Sequence, residues 1–251
     1  MGTVRRSRRQ RQSRGKRIVL TERDLSIFRA LSRYRYLRST YLYAFAGGAS
    51  ETRFKERLGD LFHEGYLDRP AEQWRLAEGL HAPTIYELGR AAARVLEGSE
   101  LGGDARRVLL GPGAHRQFEH SVMICDVLAS IELDALTTPN LRFISVFEIL
   151  AKAPETTRHA PSPLQLQIGT GKDQSVVPDA VFGLAYLAKE QPCYRFFALE
   201  ADRGTMPVAR NNRGQSSYLS KLRTYISVLA EGQPRRVWGI PRAVQRSKLS
   251  L

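Results

Sequence analysis

The stretch V-V-P-D-A-V-F (176–182), followed by R-F-F-A-L-E-A-D (195–202) and S-S-Y-L-S-K-L-R-T-Y (216–225), decides how the C-terminal half of the chain is read. Apolar and aromatic runs bounded by Gly, Pro and Asp are strand signals. Residues 178–187 and 193–202 therefore read as neighbouring strands joined near residues 189–192, and the third piece reads as a helix with Lys221 in its second turn. Side chains alternate across a strand, which puts Glu200 and Asp202 on one face. A matching register would bring Asp179 beside them. Carboxylates gathered at one point repel unless a hard cation neutralises them, and Mg²⁺ or Mn²⁺ is the expected one. Such an ion polarises a phosphoryl oxygen and activates water, while a nearby lysine can orient that water or steady the developing charge. Asp179, Glu200 and Asp202 are thus candidate metal ligands and, with Lys221, candidate catalytic residues. An alternative of equal standing has them as solvent-facing acids at strand ends, with Lys221 on an exposed helix face.

Outward from this stretch, charge is the strongest signal. The 251 residues carry a formal net charge of +14, which points to a polyanionic partner, nucleic acid before membrane. Residues 1–17 hold eight Arg or Lys (among them Arg5, Arg6, Arg8 and Arg9) and no acid. Such a block is expected to stay disordered until a partner neutralises it. If all eight met phosphates, log K would fall with log salt at a slope of about −7 from this arm alone. The two cysteines, Cys125 and Cys193, lie far apart in apolar surroundings, so a reduced, buried pair is expected rather than a disulfide. The histidines show no zinc spacing. No apolar run is long enough to span a bilayer or to serve as a signal core, and a cytoplasmic protein is expected.

From Thr21 the pattern is helical. Thr21-Glu22-Arg23-Asp24 resembles a capping box, with Leu25, Ile27, Phe28 and Leu31 apolar behind it. A second helix runs from Ser39 or Thr40 to the stop at Gly47-Gly48. A third, capped by Ser50 and ended by Gly65, has Phe54, Leu58, Leu61 and Phe62 on one face. Short strands at 66–69 and 82–88 follow, with a polar stretch around Trp74 between them. Three short helices and a hairpin make the winged helix-turn-helix pattern, whose third helix enters the major groove. Thr52, Arg53, Lys55, Glu56 and Arg57 are then candidate contacts to bases or phosphates. Arg35, Arg38, Arg69 and Arg75 are candidates for the DNA backbone. A trihelical protein-interaction domain with a solvated basic face is the alternative.

Residues 87–97 read as a further helix and 98–114, rich in Gly, as a linker. Residues 115–136 form an amphipathic helix, 141–150 a strand carrying Glu148, and 151–174 a long loop in which Arg158 and Lys172 suit a DNA-contacting flap. Arg210 and Arg213 place a basic surface beside the acids, Tyr225 shares a helix face with Lys221, and 235–240 reads as a closing strand.

Pro178-Asp179 and Glu200-Ala201-Asp202 resemble the active-site motif of the PD-(D/E)XK nuclease superfamily. Asp202 stands where that motif has lysine, and Lys221 is placed to supply the missing ammonium from the following helix. The whole order resembles plasmid replication-relaxation proteins. It is carried by L-T-E-R-D-L-S-I-F-R-A-L (20–31), F-K-E-R-L-G-D-L-F-H-E-G-Y-L (54–67), Y-E-L-G-R-A-A-A-R-V-L (86–96) and the three pieces quoted first. The resemblance covers roughly residues 20–240. Together with the charge and composition already read, it gives an α+β chain with a basic arm at 1–17, a winged helix-turn-helix domain at 18–97, a linker at 98–114 and an α/β restriction-endonuclease-like domain at 115–251. It also implies action on double-stranded DNA in plasmid replication, relaxation or transfer. A relaxase or replication protein and a second copy of the chain are candidate partners, with no membrane. Two readings stay open: a metal-dependent DNA endonuclease or nickase using Mg²⁺ or Mn²⁺, and a non-enzymatic DNA-binding accessory or regulatory protein.

Overall fold

The computed structural model describes residues 6–48, 50–75, 81–97, 118–169, 175–187, 192–202 and 218–240. The chain divides into two compact units, Met1–Leu133 and Asp134–Leu251. Both mix helices with small antiparallel sheets. No helix among the described residues is long and apolar enough to cross a membrane.

In the first unit α1 (Glu22–Arg33) starts at the expected capping box. The Asp24 carboxylate accepts from Thr21 N–H at 2.8 Å, and the Thr21 hydroxyl accepts from Asp24 N–H at 3.4 Å. Its apolar stripe, Ile27, Phe28 and Leu31, is fully enclosed, packed against α2 (Ser39–Ala46), β3 (Ile85–Leu88) and α4 (Arg90–Leu96). Between α1 and α2 lies β1 (Leu37–Arg38), two residues that leave no alternation to read in sequence. Gly47 ends α2 at φ 67°, and Ser50 caps α3 (Glu51–His63) by accepting from Arg53 N–H. Gly65, at φ 86°, turns the chain into β2 (Leu67–Asp68).

β3 is the middle strand of the sheet β1-β3-β2, pairing Leu37 with Tyr86 and Leu67 with Leu88. A 3-10 turn at Ala71–Arg75 is pinned to it by the buried Gln73. The Gln73 amide donates to Pro70 O and Ile85 O and accepts from Ile85 N–H. Leu88 still belongs to the strand and Gly89 is the N-cap of α4, so the expected helix at 87–97 begins three residues late.

Residues 118–133 of α5 (Phe118–Thr137) group with the first unit, although this helix was expected to open the second domain. The reason is chemical. Arg33 pairs with Glu132 at 2.9 Å and Arg38 with Asp126 at 2.8 Å, Tyr34 donates to Glu132, and Phe118 meets Tyr36 edge-on. Cys125 is buried here, its thiol pushed up to about 12 by burial. The expected linker, 98–114, lies outside the described residues.

The second unit is built on the sheet β4-β7-β8, formed by β4 (Leu141–Ile144), β7 (Ala180–Tyr186) and β8 (Cys193–Leu199). As expected for a middle strand, β7 is almost wholly buried. Phe182 stacks with Phe143 on one neighbour and Phe197 on the other, at 5.8 and 5.0 Å. Cys193, expected buried, is exposed, because β8 is an outer strand of this sheet.

The segment 141–150 is not one strand. The chain turns into α6 (Val146–Ala151) at a capping box in which Ser145 and Glu148 satisfy each other's backbone N–H groups. The long stretch after it holds α7 (Glu155–Arg158) and the pair β5 (Leu166–Gln167) and β6 (Ser175–Val176). α8 (Tyr218–Ala230) packs on β6, and α9 (Gln233–Trp238) on β5 and α8. α9 replaces the expected closing strand. Gly232 and Gly239, both at φ 67°, bracket it, and the Trp238 indole donates to Pro163 O at 3.1 Å.

Candidate functional site

In the first unit the candidate surface is the N-terminal half of α3. Phe54, Leu58, Leu61 and Phe62 face the core, which by helical period leaves Thr52, Arg53, Lys55 and Glu56 outward; all four are exposed. Lys55 forms an i,i+4 pair with Glu51 at 2.7 Å, both ends in solvent, a contact worth a few tenths of a kcal/mol that a phosphate can readily displace. Arg75 is exposed at the end of the 3-10 turn.

Several expected contacts are spent inside the unit instead. Arg57 donates through Nε and Nη2 to the Asp24 carboxylate, which is fully buried, and through Nη2 to Val19 O. Burial alone would raise the Asp24 pKa, but hydrogen bonds from Arg57 and Thr21 outweigh it and hold the group below its usual 3.8. Arg69 lies over the Phe62 and Tyr86 rings at 4.1 and 5.0 Å and donates to the Tyr86 hydroxyl at 2.9 Å. Arg38 is held by Asp126, and Arg35 covers the Tyr36 ring at 4.7 Å.

Residues 6–17, expected to be an unordered arm, carry no helix or strand but are tied down along the end of α3. Arg6 and Lys16 both reach Asp60, and Arg11 reaches Asp68 as well as Phe62 O and Leu67 O. Ser13 Oγ and Arg14 N–H donate to Glu64 at 2.7 and 3.1 Å. Gln12 N–H donates to Nδ1 of the buried His63, so that nitrogen is unprotonated. Burial first, then Arg6 and Arg69, holds the His63 pKa below 6.5 against the opposing pull of Asp60 and Glu64. Asp60, Glu64 and Asp68 recur every four residues, a sequence signal that was there to be read. Arg8 and Arg9 lie over the Trp74 ring at 5.2 and 5.8 Å. Arg5 lies outside the described residues.

In the second unit three of the four predicted residues meet. Asp179 precedes β7 and Glu200 follows β8, so the antiparallel register that pairs Ala180 with Leu199 also brings these two acids across from one another. Asp179 N–H donates to Leu199 O at 3.0 Å, and its Oδ2 accepts from Ala201 N–H at 2.8 Å. Lys221, in the second turn of α8, donates to Glu200 Oε2 at 2.7 Å, and the Tyr225 hydroxyl donates to Oε1. Burial raises the Tyr225 pKa, and the Glu200 and Asp179 charges push it further up, so the phenol stays protonated and keeps donating.

Asp202 is exposed just past Glu200. Among the described residues no three Asp, Glu, His or Cys side chains are close enough to share a metal ion. The expected three-carboxylate site does not form because the chain has left β8 at Leu199, so strand alternation no longer governs where Asp202 points. Both Glu200 oxygens are engaged as placed, Oε2 accepting from Lys221 and Oε1 from Tyr225. Glu148 is committed elsewhere, to Arg142 at 2.6 Å and the α6 cap. Arg210, Arg213 and Lys172 lie outside the described residues.

No curated protein and no solved structure matches the chain. The family model described as replication-relaxation matches residues 28–239, reaching from α1 to the end of α9. Because that match takes in most of each unit, the chain belongs to the replication-relaxation family, which supports a role in the replication or relaxation of a plasmid or mobile element.

Proposed function

We propose that this is a DNA-binding protein of a plasmid or related mobile element, whose first unit reads duplex DNA as a winged helix-turn-helix. The observation that carries the reading is α3. It is capped by Ser50, buried along one face, and exposes Thr52, Arg53 and Lys55 on its first two turns. The order α1-β1-α2-α3-β2-β3, with β3 between the other two strands, supports it. On this reading α3 enters the major groove and the segment joining β2 to β3, with Arg75, is the wing. Arg53→Ala and Lys55→Ala should each weaken binding to a fluorescent duplex about tenfold by anisotropy, while Lys172→Ala changes it little. Equal losses in all three would remove α3 as the reader.

A second reading is favoured by a separate observation, the Lys221–Glu200 pair beside Asp179. It is the juxtaposition a PD-(D/E)XK-like endonuclease acting with Mg²⁺ or Mn²⁺ would use. The engaged Glu200 oxygens and the exposed Asp202 speak against it, and the second unit is better read as a scaffold or docking surface for a relaxase or replication protein. Supercoiled plasmid incubated with saturating protein and Mg²⁺ or Mn²⁺ should stay intact. Nicking that disappears in both Asp179→Ala and Glu200→Ala would instead make the second unit a nuclease.

A further inference from the structure

A chain with eight basic residues in its first seventeen would ordinarily use them as a loose electrostatic tether. Here the arm is tied down at points spread along its length. Arg6, Gln12, Ser13 and Lys16 are bound to the α3 acids and His63, and Arg11 bridges the end of α3 to β2. Between these anchors, Arg8 donates to the Thr84 hydroxyl at 2.8 Å and to Ala82 O at 3.2 Å, on the approach to β3. Its guanidinium and that of Arg9 both lie over Trp74. Arg8 spends its Nε and Nη2 N–H groups on Thr84 and Ala82 and so is a further anchor, whereas a guanidinium placed as that of the exposed Arg9 is can direct its edge N–H groups outward, in the fork geometry that matches a phosphate.

We propose that residues 6–17 are a docked edge of the DNA-binding surface, in which Asp60, Glu64 and Asp68, with Arg8 as a further anchor, hold the arm so that Arg9, set on Trp74, grips the phosphate backbone flanking the duplex contacted by α3. The proposal rests on the DNA-binding reading and adds to it a fixed position for the arm. It also reassigns charge. Arg6, Arg11 and Lys16 are committed to carboxylates, which takes about 2.7 off the arm's share of the salt slope. The acids have a second use in the same arrangement. Left bare beside α3, three carboxylates would repel a phosphate backbone, and the docked arm neutralises them.

The test compares the full-length wild type with Asp60→Asn/Asp68→Asn and with Trp74→Leu. Two quantities are read for each: the Kd for a labelled linear duplex of mixed sequence, and the rate at which trypsin cuts within the arm in the absence of DNA. The double variant carries two fewer negative charges, so bare electrostatics predicts tighter binding. Docking predicts the opposite, about tenfold weaker binding together with faster cutting. Trp74→Leu leaves charge unchanged and should weaken binding about threefold, which keeps the idea testable if the double variant melts early. Equal or tighter binding by the double variant with its arm released would overturn the proposal, because the arm would then be a restraint and not a grip. A wild-type arm cut as fast as the variant's, with duplex binding intact, would overturn the docking and leave the α3 reading standing. Failure of the wild type to bind duplex at all would remove both.

Discussion

Arg57→Met is expected to lower the free energy of unfolding by about 3 kcal/mol, seen as a lower urea midpoint at unchanged slope. The expectation comes from burial. The Asp24 side chain is 1% exposed and its partner Arg57 28%, so methionine would leave a carboxylate enclosed with only Thr21 to satisfy it. The partial exposure of Arg57 keeps the loss at the lower end of the range for buried pairs. Adding Asp24→Asn to the same protein should recover part of the loss, since the stranded charge is then gone. The acid dependence has a definite sign. The Asp24 pKa is lower in the folded chain than its usual 3.8, so the stabilisation is in place above that pH and disappears as pH falls through the folded value. Wild type and Arg57→Met should therefore converge in stability below pH 3.8. A loss under about 1 kcal/mol at neutral pH would return Arg57 to the list of phosphate contacts.

The second large effect belongs to Gly89→Ala. A β-carbon at this position would stand 2.5 Å from Gly65 O and 2.7 Å from Tyr66 O. Gly89 has an ordinary extended backbone, φ −79° and ψ 162°, so alanine meets no conformational penalty and the whole cost is steric. The obstacle is backbone on both sides, because Gly89 N–H donates to Tyr66 O at 2.8 Å and Ala91 N–H to Gly65 O at 3.2 Å. Nothing flexible can give way. A loss of about 3 kcal/mol is expected. The strain falls on the turn between α3 and β2, so duplex binding should weaken too. Gly59→Ala is the control. It lies inside α3 with only Arg69 Nη2 near, at 4.0 Å, and should gain about 0.5–1 kcal/mol from helix propensity. Equal melting temperatures for Gly89→Ala and wild type would mean that the close approach of β2 and α4 is not as described.

Local signals carried much of the architecture. The Thr21–Asp24 box, the Ser50 cap, the stops at Gly47 and Gly65, and the apolar runs of β7 and β8 all stood where the sequence put them. Two short apolar segments were misread. Residues 141–150 hold a strand and a helix because Ser145 and Glu148 form a capping box inside a run that otherwise looks like a strand. The segment 235–240 falls on the helix Gln233–Trp238 and its stop, because the glycines at 232 and 239 bracket that helix and Pro234 lies in its first turn. In both cases the caps were the better signal, since a short apolar run cannot by itself separate strand from helix.

The sequence alone determined that the chain is strongly basic, that α3 is an amphipathic helix with a polar, partly basic outer face, and that Asp179 and Glu200 flank adjacent strands with Lys221 and Tyr225 one helical turn apart. Only the tertiary structure decided how the charges are shared out. Arg57 goes to Asp24, Arg6 and Lys16 go to Asp60, and Lys221 goes to Glu200, while Arg53 stays at the surface. The physical reason is range. Periodicity reports on neighbours three or four residues apart, whereas these partners are separated by between 21 and 54 residues in sequence. Which of many arginines meets which carboxylate depends on the packing that brings them within about 4 Å, and that packing is set by the apolar core.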